Sequence, residues 1–192
     1  MLRLAGPPCE CGFRDIAVHS LRTRRLFLLD AAAALVAGLA APAARASSLR
    51  VGAPAPPATL VTLDGKRIST GDLHGKVVVL TFLATWCGPC REELPLLSDY
   101  QQAHASKGLV VLGFSLDEPA DLEKVRAMAA PLRFPVGLLS SSQAPGYGRI
   151  WHIPVSFTID RQGRLADDGW KDKHPVWTPE RLQRVVEPLL IG

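Results

Sequence analysis

The run Val77 to Leu83, Val-Val-Val-Leu-Thr-Phe-Leu, restricts the fold more than any other segment. It is apolar without alternation and rich in β-branched side chains, so it reads as a strand buried on both faces. Such a strand needs a layer on either side, and the rest of the chain supplies candidates in alternation. Glu92 to Ala105 has a helical pattern, Leu109 to Phe114 reads as a second buried strand, and Phe134 to Leu139 as a weaker one. Between the last two, Asp121 to Ala130 forms a short amphipathic helix with Leu122, Val125, Met128 and Ala129 on one face. Val155 to Ile159, a turn at Asp160 to Gly163 and the chain from Arg164 onward read as a terminal hairpin. Thr178-Pro179-Glu180 opens a last helix, with Thr as N-cap and Pro in the first turn. Upstream, Leu60 to Leu63 and Lys66 to Ile68 flank Asp64-Gly65, the signature of a two-residue type I′ hairpin. Parallel-type strands interleaved with helices and ending in a hairpin give an α/β fold with a central mixed sheet flanked by helices.

Residues 1–46 have a different character. Arg24-Arg25 precede an apolar run from Ala31 to Ala44 that ends in Ala44-Arg45-Ala46, a small-x-small cleavage signature. The expected organisation is therefore an export signal over 1–46, cleaved after Ala46, and one domain over 47–192. The apolar run falls short of the roughly 20 residues that span a bilayer. Lengthening it with Leu26 to Leu29 brings in Asp30, so an uncleaved membrane anchor is the minor alternative. Thr23-Arg24-Arg25-Leu26-Phe27-Leu28 resembles the twin-arginine export motif, which places the mature protein in the periplasm of a Gram-negative cell. Cys9 and Cys11 lie ahead of the twin Arg, and are discarded with the leader or precede the true start. Six Arg against three acids in 1–46, and sixteen Lys and Arg against fifteen Asp and Glu beyond, put most of the +4 net charge in the leader. The remainder has no basic patch that would mark nucleic acid as a partner.

Cys87 and Cys90, separated by Gly88-Pro89, are the only cysteines after the leader. They follow the strongest strand and open a helix, the context that marks a redox Cys-x-x-Cys. One helical turn brings their Cα atoms within disulfide range, and the unpaired N–H groups of a helix N-terminus stabilise a thiolate. Cys87 is then the attacking thiol and Cys90, one turn inside, the resolving thiol. Half of a zinc site lacks its second ligand pair at tight spacing, so no metal is expected.

Ala84-Thr85-Trp86-Cys87-Gly88-Pro89-Cys90-Arg91-Glu92-Glu93-Leu94-Pro95 resembles the active-site segment of thioredoxin-like proteins, and within them the TlpA/ResA group of exported thiol–disulfide oxidoreductases. Ile153-Pro154-Val155-Ser156-Phe157-Thr158-Ile159-Asp160 resembles the same group's cis-proline loop and the strand after it. The resemblance implies a thioredoxin-like fold with an N-terminal β-hairpin and a central αβ insertion. It implies that Pro154 is cis and, with Ile153 and Trp86, meets the substrate chain; by composition alone Pro154 is equally a trans strand-starter. It matches Pro95 to a mid-helix kink. It also makes Glu93 an active-site acid able to take the Cys90 proton, whereas Glu93 beside Glu92 and Arg91 also reads as a solvated helix face. Thr81 stands where thioredoxin carries a buried Asp. His152 is either a pKa-tuning neighbour of the thiols or a surface loop residue, and His74, His104 and His174 show no ligand spacing.

The function expected is an exported reductase of protein disulfides cycling through Cys87 and Cys90, with no cofactor beyond that pair. Its substrates are cysteine-containing exported proteins, among them those of cytochrome c or cuproprotein maturation. A reductase in an oxidising compartment also needs a membrane-embedded electron donor. A peroxiredoxin-like thiol peroxidase using Thr85 and Arg91, and a Cu(I) metallochaperone using the two thiols, are the alternatives.

Overall fold

The computed structural model describes residues 49–191. The leader, its twin Arg and its cleavage site lie outside the described residues. A five-stranded mixed sheet has the order β5-β4-β3-β6-β7. Its strands are β3 (Val77–Leu83), β4 (Leu109–Ser115), β5 (Val136–Leu138), β6 (Val155–Ile159) and β7 (Leu165–Asp168). β3 lies at the centre, parallel to β4 and antiparallel to β6; β5 extends the parallel side and β7 the antiparallel side. All seven residues of β3 are buried, as a two-faced strand requires.

One face of the sheet carries Val77, Val79 and Leu83 of β3. It packs against α1 (Gly88–His104), α2 (Leu122–Ala129), α3 (Pro179–Val185) and α4 (Glu187–Ile191) through Leu94, Leu97, Val125, Leu182 and Leu190. The opposite face carries Val78, Leu80 and Phe82. It is closed by Leu60 of β1 (Thr59–Val61) and by Tyr147, whose ring meets Phe157 at 4.8 Å and whose hydroxyl donates to Pro56 O at 2.9 Å. The fold is thioredoxin-like, with the separate hairpin of β1 and β2 (Arg67–Ser69) beside the sheet. α2 and β5 fall between β4 and β6, where the central αβ insertion was expected.

One local expectation is corrected by the structure. The hairpin turn is a three-residue loop rather than a two-residue type I′ turn. Gly65 N–H donates to Thr62 O at 2.8 Å, Gly65 takes φ +84°, and Thr62 N–H donates to Lys66 O at 2.8 Å. Asp64 draws the loop into this form because it accepts from the Thr62 hydroxyl and pairs with Lys66 at 2.9 Å. The first helix begins at Gly88 with Cys87 as its N-cap, so the Cys pair opens it as expected and the helical pattern of Glu92 to Ala105 continues it. Pro89 fits the first helical turn, where its missing N–H has no partner to lose.

Candidate active site

β3 ends by delivering the chain into a tight loop at the carboxyl ends of the parallel strands, where sites gather in α/β sheets. Leu116 N–H donates to Leu83 O at 2.8 Å, and Cys87 N–H to Ala84 O at 3.1 Å. Asp117, 3% exposed just past β4, accepts from Thr85 N at 2.9 Å, from Thr85 Oγ1 at 2.5 Å and from Ser115 Oγ at 2.6 Å. The loop before the cysteines is thus tied to the neighbouring strand. The Thr85 hydroxyl, which a peroxidase reading needs beside the sulfur, donates to Asp117 instead, and Arg91 is exposed. The sequence reading missed Asp117; its only signal was an acid following a buried strand.

Cys87 is the N-cap of α1, and its Sγ accepts from Cys90 N–H at 3.2 Å. The two sulfurs are joined in a disulfide, with the Cα atoms 5.3 Å apart. Cys90 is fully buried, Cys87 retains a little surface, and Trp86 ahead of it is 66% exposed. The Cys87 sulfur is thus the more accessible of the two. Pro95 lies inside α1, which continues through it to His104.

Glu93 and Glu92 part company. Glu92 is exposed, but Glu93 is 2% exposed beneath the cysteines, so the solvated-face reading does not apply to it. Its Oε2 accepts from Trp177 N–H at 2.7 Å, while its Oε1 is buried without a partner. Burial pushes its carboxyl up to about 7, against the opposing pull of the Trp177 N–H and the positive field of Arg181. Thr81 lies opposite Ser156 in the sheet. Its hydroxyl is buried and unpaired, while Ser156 Oγ accepts from Trp177 Nε1 at 3.0 Å.

The Ile153–Pro154 peptide is cis, and Pro154 is buried at the start of β6. Trp86, Leu116, Ile150, Trp151, His152 and Ile153 line a shallow cavity of about 350 Å³. Trp151, which the sequence reading passed over, is 75% exposed yet fixed in place. It stacks on Trp170 at 5.7 Å with the rings 8° apart, and Trp170 is anchored by its indole N–H to Tyr147 O at 2.9 Å. His152 sits edge-on to both rings, half-buried, with Nδ1 unpaired. Its place is therefore in the wall of this cavity. His104 instead stacks on Tyr100 and bonds Tyr100 O, away from the thiols.

The family model that matches this chain is the AhpC/TSA family, over residues 51–167. The chain belongs to the AhpC/TSA family. Thiol-disulfide oxidoreductase ResA of Bacillus cereus is 31% identical over 119 residues, covering 62% of this chain and 69% of that protein. Thioredoxin-like protein YneN of Bacillus subtilis (strain 168) is 34% identical over 122 residues, covering 62% and 71%. Among solved structures, a thiol:disulfide interchange protein of the thioredoxin family from Chlorobium tepidum TLS aligns with a TM-score of 0.61 at 30% identity. The alignment covers 75% of this chain and 99% of that one. With its Cys87–Cys90 pair, this AhpC/TSA member is a thiol–disulfide oxidoreductase of the ResA type.

Proposed function

We propose that this oxidoreductase is an exported reductase of protein disulfides. The Cys87 thiolate attacks one sulfur of a substrate disulfide, forming a mixed disulfide and releasing the first substrate thiolate. Cys90 then gives its proton to the Glu93 carboxylate and attacks Cys87 Sγ, releasing the second substrate thiolate. Two electrons pass to the substrate, and the Cys87–Cys90 disulfide seen here is the oxidised product. A membrane-embedded dithiol partner returns the two electrons, since an exported protein has no cytoplasmic thiol pool to draw on. Trp86, Ile153 and Pro154 meet the substrate chain along the groove beside Cys87. The substrates are cysteine pairs of exported proteins, including those reduced before haem or metal insertion in cytochrome c and cuproprotein maturation. The TlpA/ResA resemblance supports that substrate class. Export rests on the twin Arg and the apolar run of the leader; among the described residues no helix is long and apolar enough to cross a membrane.

The observation that supports the direction of electron flow is the Gly88-Pro89 dipeptide between the two cysteines, which resembles that of reducing thioredoxins. The potential itself follows from how firmly the Cys87 thiolate is held once the disulfide is open. Equilibration of the protein in graded thiol–disulfide buffers tests the assignment. A midpoint near about −270 mV is expected, and one near about −120 mV makes the protein an oxidant instead.

A further inference from the structure

Glu93 is held from a segment 84 residues away, since its hydrogen bond comes from Trp177 N–H. Trp177 is itself 2% exposed and secured on two more sides, by its indole N–H to Ser156 Oγ and by the Arg181 guanidinium 4.1 Å above its ring centre. Arg181 is the pin of this cluster. It is 2% exposed, with NH2 2.9 Å from Asp167 Oδ2 on β7, Nε 2.9 Å from Asp172 Oδ2, and NH1 donating to the Pro175 carbonyl. One side chain thus ties β7, residues 172–175 and α3 around the residue whose backbone N–H bonds Glu93. Removing a guanidinium from water this completely is costly, and a buried ion pair is weak evidence of stability for its own sake. A planar fork that also stacks on an aromatic face is a task for Arg rather than Lys.

We propose that Arg181 is a positioning residue for the redox centre, clamping Trp177 so that its N–H holds Glu93 and placing a buried positive charge behind that acid. The proposal rests on the reading of Glu93 as acceptor of the Cys90 proton. Arg181 is the charge whose field reaches Glu93; Asp167 and Asp172 partly offset it, and Arg184, 4.0 Å from Asp172, lies farther out. Glu92 and Arg91 on the same helix are exposed, and Thr81 and Ser156 beneath carry no charge. Without Arg181 the burial that raises Glu93 acts with less opposition. The acid then stays protonated at neutral pH and cannot take the proton from Cys90.

The test uses the full chain in its disulfide form, where neither sulfur titrates. Glutamate is labelled with carbon-13 at the carboxyl, and the Glu93 signal is assigned as the one missing from E93Q. In Arg181→Met the Glu93 midpoint moves up by about one pH unit, the low end of what a guanidinium does to a neighbouring carboxyl. Arg181→Lys, which keeps the charge but not the fork that holds Trp177, moves the midpoint up by less than Arg181→Met. Asp172→Asn removes a partner that offsets Arg181 and moves the midpoint down; it keeps the proposal open to refutation if Arg181→Met does not fold. A midpoint in Arg181→Met that stays put, or falls toward the ordinary carboxyl range, overturns the proposal, as does an unmoved midpoint in Asp172→Asn. Resolution of the mixed disulfide at neutral pH is expected to slow about fivefold in Arg181→Met, as the ionised fraction of Glu93 falls, and to recover as pH rises. If Glu93 shifts as expected but E93Q leaves the pH–rate profile unchanged, Arg181 controls Glu93 and the proton-acceptor reading alone fails.

Discussion

Replacing Glu93 by Gln removes a buried acid while keeping its shape, and its carbonyl oxygen can still accept from Trp177 N–H. Burial raises the Glu93 carboxyl from 4.5 to about 7, so across that window the folded protein binds a proton that the unfolded chain has lost. The sign follows directly. The stability linked to this proton is fully present below about pH 4.5 and is lost as pH rises through about 7. At about 1.36 kcal/mol per pH unit the full displacement is worth about 3 kcal/mol, of which about 2.5 kcal/mol falls between about pH 5 and about pH 8. The assay is urea unfolding of the disulfide form of both proteins at those two pH values. With an m-value of about 1–3 kcal/mol per molar, the wild-type midpoint should drop by about 0.8–2.5 M more than that of the Gln variant. Taking the difference of differences removes groups common to both proteins, including Asp167, which burial also pushes up. Parallel pH dependence in the two proteins would mean that Glu93 is not held above the ordinary carboxyl range. A wild type that gained stability over the variant toward high pH would mean that its surroundings favour the carboxylate.

The order of the two sulfurs gives a second expectation. Cys90→Ser, which leaves the more accessible Cys87 free, should accumulate a mixed disulfide with a cysteine-containing substrate, read by intact-protein mass spectrometry; Cys87→Ser should trap far less, and equal trapping would reverse the assigned roles. Trp151 is 75% exposed and its loss leaves the core intact, so Trp151→Ala should fold normally. Its KM for reduction of insulin disulfides should rise about 5–30-fold, as expected from loss of an aromatic anchor worth about 1–2 kcal/mol. The rate with oxidised glutathione should stay unchanged, and an equal loss on both substrates would remove Trp151 from the docking surface.

What the sequence determined by itself was whatever local chemistry fixes. Six apolar residues and one Thr in an unalternating run read as a strand covered on both sides, and Val77–Leu83 is that strand. Cys-Gly-Pro-Cys after a strand must cap a helix, because Cys87 can accept from Cys90 N–H and Pro89 suits the first turn. Thr178-Pro179-Glu180 opens its helix for the same kind of reason, with Thr178 Oγ1 accepting from Arg181 N–H. The three-residue form of the 62–66 loop was less legible, because the Asp64 side chain rather than the Asp-Gly pair alone selects it. The surroundings of the cysteines were decided by tertiary structure. Helical spacing puts Glu93 on the face of Cys90 and Leu97, but its partner is the N–H of Trp177, far away in the chain and held by Ser156 from one side and by Arg181 from the other. Asp117 reaches the cysteine loop from 32 residues away, and Trp151 becomes a fixed wall of the groove only because Trp170 stacks beneath it. Burial and charge fields add up over whatever the fold brings within a few ångströms, regardless of separation along the chain. The position of the reactive sulfurs is therefore written in a dozen consecutive residues, and the environment that sets their protonation is written across four strands and two helices.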